Sequence, residues 1–151
     1  MKLAEALILR ADVKKRIEEL RERLRRNTKV QEGDRPVEQP EFLLQEFERS
    51  VAELKVLIRR VNSTNATVMF DSNHLISDAI AKREGFDLRI RALREVIAAA
   101  SEAEWLLSRS EIKSVPTLDG AALQRQLDDL TRQRRELDTQ LQAINWQVEL
   151  V

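Results

Sequence analysis

Between Asn73 and Leu107 the chain has no proline and a single glycine, Gly85. Over the same stretch Leu75, Ile76, Ala79, Ile80, Phe86, Ile90, Leu93, Ile97 and Ala100 recur at helical spacing. A helix of that length spans roughly 50 Å. It sets the long dimension of whatever the chain builds, and three shorter helices are expected to pack along it. The apolar stripe is wider than one neighbour requires, with Leu75, Ile80, Ala98 and Ala100 flanking its centre, so several neighbours are expected.

The rest of the chain repeats the same periodicity. A first helix is predicted over about 2–27, with Leu3, Ala6, Arg10, Val13, Ile17, Leu20 and Leu24 alternating spacings of three and four. Asn27 is suited to end it, since asparagine tolerates the left-handed conformation. A second helix, about 40–65, starts at Pro40 and carries Leu44, Phe47, Val51, Leu54, Ile58 and Val61 in strict 3-4 order, with Asn65 on the next step. Asn62 and Asn65 read either as caps or as buried polar contacts. The third helix is expected over about 73–107, with Asp71, Ser72 and Asn73 as cap candidates. The fourth, about 120–145, carries Leu123, Leu127, Leu130, Arg134, Leu137, Leu141 and Ile144, with Thr117 or Asp119 as its cap. The tail 146–151 is apolar enough to dock.

Two irregular stretches interrupt this pattern, 28–40 with a turn at Glu32-Gly33-Asp34, and 108–119 around Pro116. If successive helices alternate in direction, both stretches lie at the same end. Their β-compatible pieces, 28–31 and 111–115, would then pair as a small two-stranded antiparallel element over the helix ends. The expected architecture is one all-α domain, an antiparallel four-helix bundle of long coiled-coil-like helices. Three glycines and three prolines in 151 residues leave too few turns for a β-sandwich or barrel.

Composition excludes more than it assigns. There are 26 basic and 26 acidic side chains, so the basic excess of a nucleic-acid binder is missing. Without cysteine there is neither a disulfide nor a thiolate metal site. No export signal or membrane-spanning stretch is evident, and a cytoplasmic protein is expected.

The opening MKLAEALILRAD, the loop KVQEGDRP at 29–36, SRSEIK at 108–113 and the closing NW at 145–146 resemble a family of small bacterial proteins of unknown function, some of whose members carry the label septicolysin. The resemblance spans nearly the whole chain. It implies an all-helical fold and brings no active-site assignment.

The search for chemistry returns little. A carboxylate-bridged metal site in a bundle needs Glu-x-x-His on two helices, and His74 is the only histidine, with no glutamate three residues before it. A hydrolytic triad has no other base to use. His74 with Asp71 and Asp78 is a conceivable proton-handling group, against the plainer reading of a surface histidine at a helix start. No glycine-rich phosphate loop is present.

The internal oddity is arginine on apolar seams, at Arg10, Arg83 and Arg134. An unpaired guanidinium there is prohibitive, and Glu5, Asp12, Asp78, Asp87 and Asp138 are candidate partners. The arginines either snorkel to a seam edge, form buried ion pairs that fix register or a subunit contact, or line an anion pocket. The expected role is non-catalytic, with no cofactor or metal. The protein is expected to be a homo-oligomeric structural or interaction module whose partner is another copy of itself, without nucleic acid or membrane. The alternative is a small-molecule or anion-binding protein, or an enzyme, with a polar site where the two loops meet, drawing on Glu32, Asp34, Arg109, Glu111 and Lys113.

Overall fold

The computed structural model describes residues 1–101 and 114–151. These form four helices, α1 (Leu3–Asn27), α2 (Pro40–Thr67), α3 (Ile76–Ser101) and α4 (Gly120–Gln147), and the protein is all-α. The expected continuation of the third helix from 102 to 107 lies outside the described residues. So does half of the expected strand pair, and 28–31 and 114–115 adopt no strand. An antiparallel backbone bridge joins Lys2 to Glu149.

The chain divides into two compact units. One comprises Met1–Met69 with Ala143–Val151, the other Phe70–Gln142.

In the first unit α1 and α2 pack as an antiparallel hairpin. Arg23 pairs with Glu38 near the turn, and Arg16 pairs with Glu53 further along at 3.4 Å. The connection turns at Gly33, whose φ of 93° is the left-handed conformation that a type II turn demands at its third residue, and Asp34 N–H closes that turn on the Gln31 carbonyl at 2.9 Å. Asn27 does end α1, by its side chain rather than by a left-handed backbone. Its Nδ2 donates to the Arg23 carbonyl at 2.9 Å and its Oδ1 accepts from Glu38 N–H at 3.0 Å, which ties the loop to the helix end.

α1 buries Leu3, Ala6, Val13, Ile17 and Leu20 of its expected row, with Arg10 and Leu24 half-buried, and each buried leucine, isoleucine or valine contributes about 1.5–3 kcal/mol. α2 buries Val61 of its expected row and half-buries Phe47 and Leu54, but the rest of the row is displaced. Its buried residues are Leu43, Ser50, Leu57, Val61 and Thr64, one residue away from the expected Leu44, Val51 and Ile58. Two hydroxyls make the shift tolerable. Ser50 Oγ donates to the Glu46 carbonyl and Thr64 Oγ1 to the Arg60 carbonyl, both at 2.9 Å, so neither is buried without a partner. Neither Asn62 nor Asn65 ends α2, which runs on to Thr67 and closes with Val68 N–H on the Thr64 carbonyl.

The C-terminal tail docks in this same unit. Leu3 N–H donates to the Val148 carbonyl and Leu150 N–H to the Met1 carbonyl, both at 2.9 Å. Leu150 is buried, and Val151 N–H donates to Thr64 Oγ1 at 3.0 Å. Arg60 spans the end of the tail by donating to the carbonyls of Leu150 and Val151.

In the second unit α3 and α4 run antiparallel, since Arg83 meets Asp138 and, four residues on, Asp87 meets Arg134, four residues back. Ile76, Ala79, Phe86 and Ile90 are buried on α3, and Leu127, Leu130, Leu137 and Leu141 on α4. The wide stripe expected of α3 is only partly used: Leu93 and Ile97 are half-buried, and Ala98 is exposed. Both helix starts are capped by aspartate. Asp119 Oδ1 accepts from Ala121 and Ala122 N–H, and Asp78 Oδ2 accepts from Leu75 N–H at 2.8 Å. Asp71 does not cap α3. Its Oδ1 accepts from Asn73 and His74 N–H and shapes the preceding turn.

Candidate functional site

The shifted seam of α2 leaves an apolar row only partly covered among the described residues. Leu44, Val51 and Ile58 stand seven residues apart and are 51%, 38% and 37% exposed. One residue step rotates a helix by about 100°. The exposed row therefore sits about 100° around α2 from Leu43, Ser50 and Leu57, on a second face of its own. Phe47 and Leu54, half-buried, connect the two faces. On the far side of the row lie Glu48 and Lys55, both exposed. A groove of about 460 Å³ between α1 and α2, bounded by Leu24, Leu44 and Phe47, adjoins its N-terminal end.

The row has a two-fold pattern centred on Val51. Seven residues before Val51 is Leu44 and seven after is Ile58. Three before is Glu48 and four after is Lys55; four before is Phe47 and three after is Leu54. An antiparallel copy of the same helix would set leucine on isoleucine, phenylalanine on leucine, and glutamate beside lysine. Such self-complementarity is what an isologous contact requires.

The polar residues singled out from the sequence fall only partly within the described residues. Glu32 and Asp34 are exposed in the loop after α1. Arg109, Glu111 and Lys113 lie outside the described residues. Arg10 is half-buried and makes no hydrogen bond or ion pair among the described residues.

Arg83 and Arg134 join one network with Asp87 and Asp138. Arg83 Nη1 lies 3.2 Å from Asp138 Oδ1, Arg134 Nε 2.9 Å from Asp87 Oδ1, and Arg134 Nη1 3.7 Å from Asp138 Oδ2. All four are half-buried, and the hydrogen bond that Arg134 donates to Asp87 raises the guanidinium pKa above its ordinary value. Four alternating charges thus join α3 to α4 in antiparallel register.

His74 sits in the turn before α3, its Nδ1 2.9 and 3.0 Å from the two Asp71 carboxylate oxygens. Backbone N–H donation from Asn73, with His74 second, holds the Asp71 carboxyl below its ordinary range. Among the described residues no group of three or more His, Cys, Asp or Glu could hold a metal ion, and no helix is long and apolar enough to cross a membrane.

Comparison with known proteins agrees in giving a fold without an activity. The family model described as "Family of unknown function (DUF6847)" matches residues 10–150. No curated protein matches the chain. A crystal structure described as that of a functionally unknown conserved protein from Corynebacterium diphtheriae is 34% identical, with a TM-score of 0.94 over 100% of this chain and 99% of that one. Neither description carries the septicolysin label.

Proposed function

This chain belongs to the family of unknown function DUF6847, whose description assigns no activity. From its own geometry we propose that it is a non-catalytic structural or interaction protein that self-associates through the exposed face of α2. The observation that carries the proposal is the heptad row Leu44, Val51 and Ile58, exposed on a helix whose other face is already filled. An apolar row at a period of seven is what a coiled-coil partner covers.

The occupant is a second copy of the chain in antiparallel orientation, with the two Val51 side chains on the two-fold axis. Each Glu48 then faces the partner's Lys55, which sets direction and register rather than affinity. In a parallel pair each Glu48 would lie across from the opposite flank of the partner helix, and its contact with Lys55 would be lost.

Light scattering and native mass spectrometry of the full chain test this. The expected species is an even multiple of 17.5 kDa. Val51→Asp places two carboxylates on the axis and should give monomers whose far-ultraviolet dichroism is unchanged, because Val51 is exposed within one chain. Glu48→Lys and Lys55→Glu should each weaken the dimer, and the double swap should restore it. A monomer at the outset, or an assembly indifferent to Val51→Asp, would remove the proposal.

A further inference from the structure

The second unit carries a groove of about 240 Å³ with an apolar floor and a charged rim. Ala79, Phe86 and Leu137, all buried, form the floor. On the rim stand Asp78 and Lys82, one turn apart on α3, and Glu136 on α4. The Asp71–His74 pair closes one side.

The rim charges of opposite sign do not neutralise one another. Lys82 makes no ion pair or hydrogen bond among the described residues. Asp78 spends Oδ2 on Leu75 N–H, and Glu136 spends Oε1 on Arg132 Nη1 at 3.0 Å. The second oxygen of each carboxylate has no partner among the described residues. An ammonium and two half-used carboxylates are thus held apart around a patch of buried hydrocarbon.

That combination discriminates between ligand classes. An anion would meet Lys82 but also two carboxylates, and a plain amine would meet the carboxylates but also Lys82. A molecule carrying both charges and an apolar body satisfies the rim and the floor together. The groove, at about 240 Å³, has room for a small metabolite. We infer that this groove binds a free amino acid with an apolar side chain. Its ammonium lies between Asp78 and Glu136, its carboxylate on Lys82, and its side chain over Phe86 and Leu137. The inference is independent of self-association, since the groove lies in the second unit and the α2 face in the first.

Saturation-transfer nuclear magnetic resonance on the full chain, with a millimolar mixture of the common free amino acids, is the first test. Calorimetric titration with L-leucine, 3-methylbutylamine and 4-methylpentanoate is the second; the latter two are leucine without its carboxylate and without its ammonium. Apolar amino acids should receive saturation, and each truncated analogue should bind at least about tenfold more weakly, the loss expected for one charged hydrogen-bonding group. Lys82→Met and Asp78→Asn should each cost about tenfold in leucine affinity. Asparagine keeps an oxygen for Leu75 N–H, so α3 still starts where it does. Backbone amide shifts should be confined to 74–82 and 133–140. The inference is overturned if no amino acid binds, if either analogue matches leucine, or if Lys82→Met leaves the affinity unchanged.

Discussion

Thr64 and Val151 are joined by a hydrogen bond from the Val151 N–H to the Thr64 hydroxyl at 3.0 Å, across 87 positions of sequence. The same hydroxyl donates to the Arg60 carbonyl, so one fully buried side chain serves its own helix and the tail at once.

Substituting Thr64→Val keeps the shape and removes the acceptor. The Val151 N–H loses its partner, and an unfolding free energy lower by about 1 kcal/mol is expected from denaturant titration. Ser50→Ala should differ. Ser50 Oγ bonds only its own helix carbonyl at Glu46, and alanine is the better helix former, so stability should stay within about 0.5 kcal/mol of the parent.

Arg134 stands between Leu130 and Leu137 on α4, one seam position that the leucine repeat skips. Its ion pairs with Asp87 and Asp138 are partly solvated, and pairs of that kind contribute about 0–1 kcal/mol each. Arg134→Leu exchanges them for apolar contact, and its stability should fall within about 1 kcal/mol of the parent. Asp138→Ala leaves Arg83 without its partner and should destabilise by about 1 kcal/mol. A double-mutant cycle on Asp87 and Arg134 should return a coupling of about 0.5 kcal/mol; a value near zero would mean the pair does not fix register.

Acid should release the tail. The Lys2 ammonium and then the terminal ammonium of Met1 hold the Glu149 carboxyl at about 2, against an ordinary value of 4.5. A depressed carboxylate pKa contributes stability that is present above 4.5 and is lost as pH falls toward 2. Hydrogen exchange at the amides of Leu3 and Leu150 should therefore quicken over that window at fixed intrinsic rate. Glu149→Gln should exchange faster at neutral pH and lose the acid dependence.

Leu20 is fully buried on α1, and Leu20→Ala should cost about 2–5 kcal/mol by creating a cavity. Leu44→Ala, at a half-covered side chain of the outer row, should cost a single chain under about 1 kcal/mol and should show its main effect in assembly.

The helices and two of their seams are legible in the sequence because leucine and alanine at 3-4 spacing leave one choice of face. α2 offered two. Leu44, Val51 and Ile58 are more apolar than Leu43, Ser50 and Leu57, so hydrophobicity alone selects the wrong row. What reverses it is local: serine and threonine hydroxyls return their hydrogen bonds to the preceding turn and enter a core at little cost. The mismatch between the two rows is also what exposes the candidate interface. The pairing of Lys2 with Glu149 was not legible, since backbone bridges of one residue leave no period to detect. Asp87 and Asp138 could be named as partners for the seam arginines from charge alone, whereas their antiparallel register needed the helices in place. The groove beside His74 carries no sequence motif, because its components come from the turn before α3, from α3 itself and from α4, with Lys82 and Glu136 more than fifty residues apart.

The docking of residues 143–151 against 1–69 also orders events in time. During synthesis α1 and α2 emerge first, yet Thr64 still lacks Val151 and Leu3 still lacks Val148. The entire second unit is made before the strip that seals the first. The first unit is therefore begun before the second and completed after it, and waits with its end unclosed while its neighbour folds.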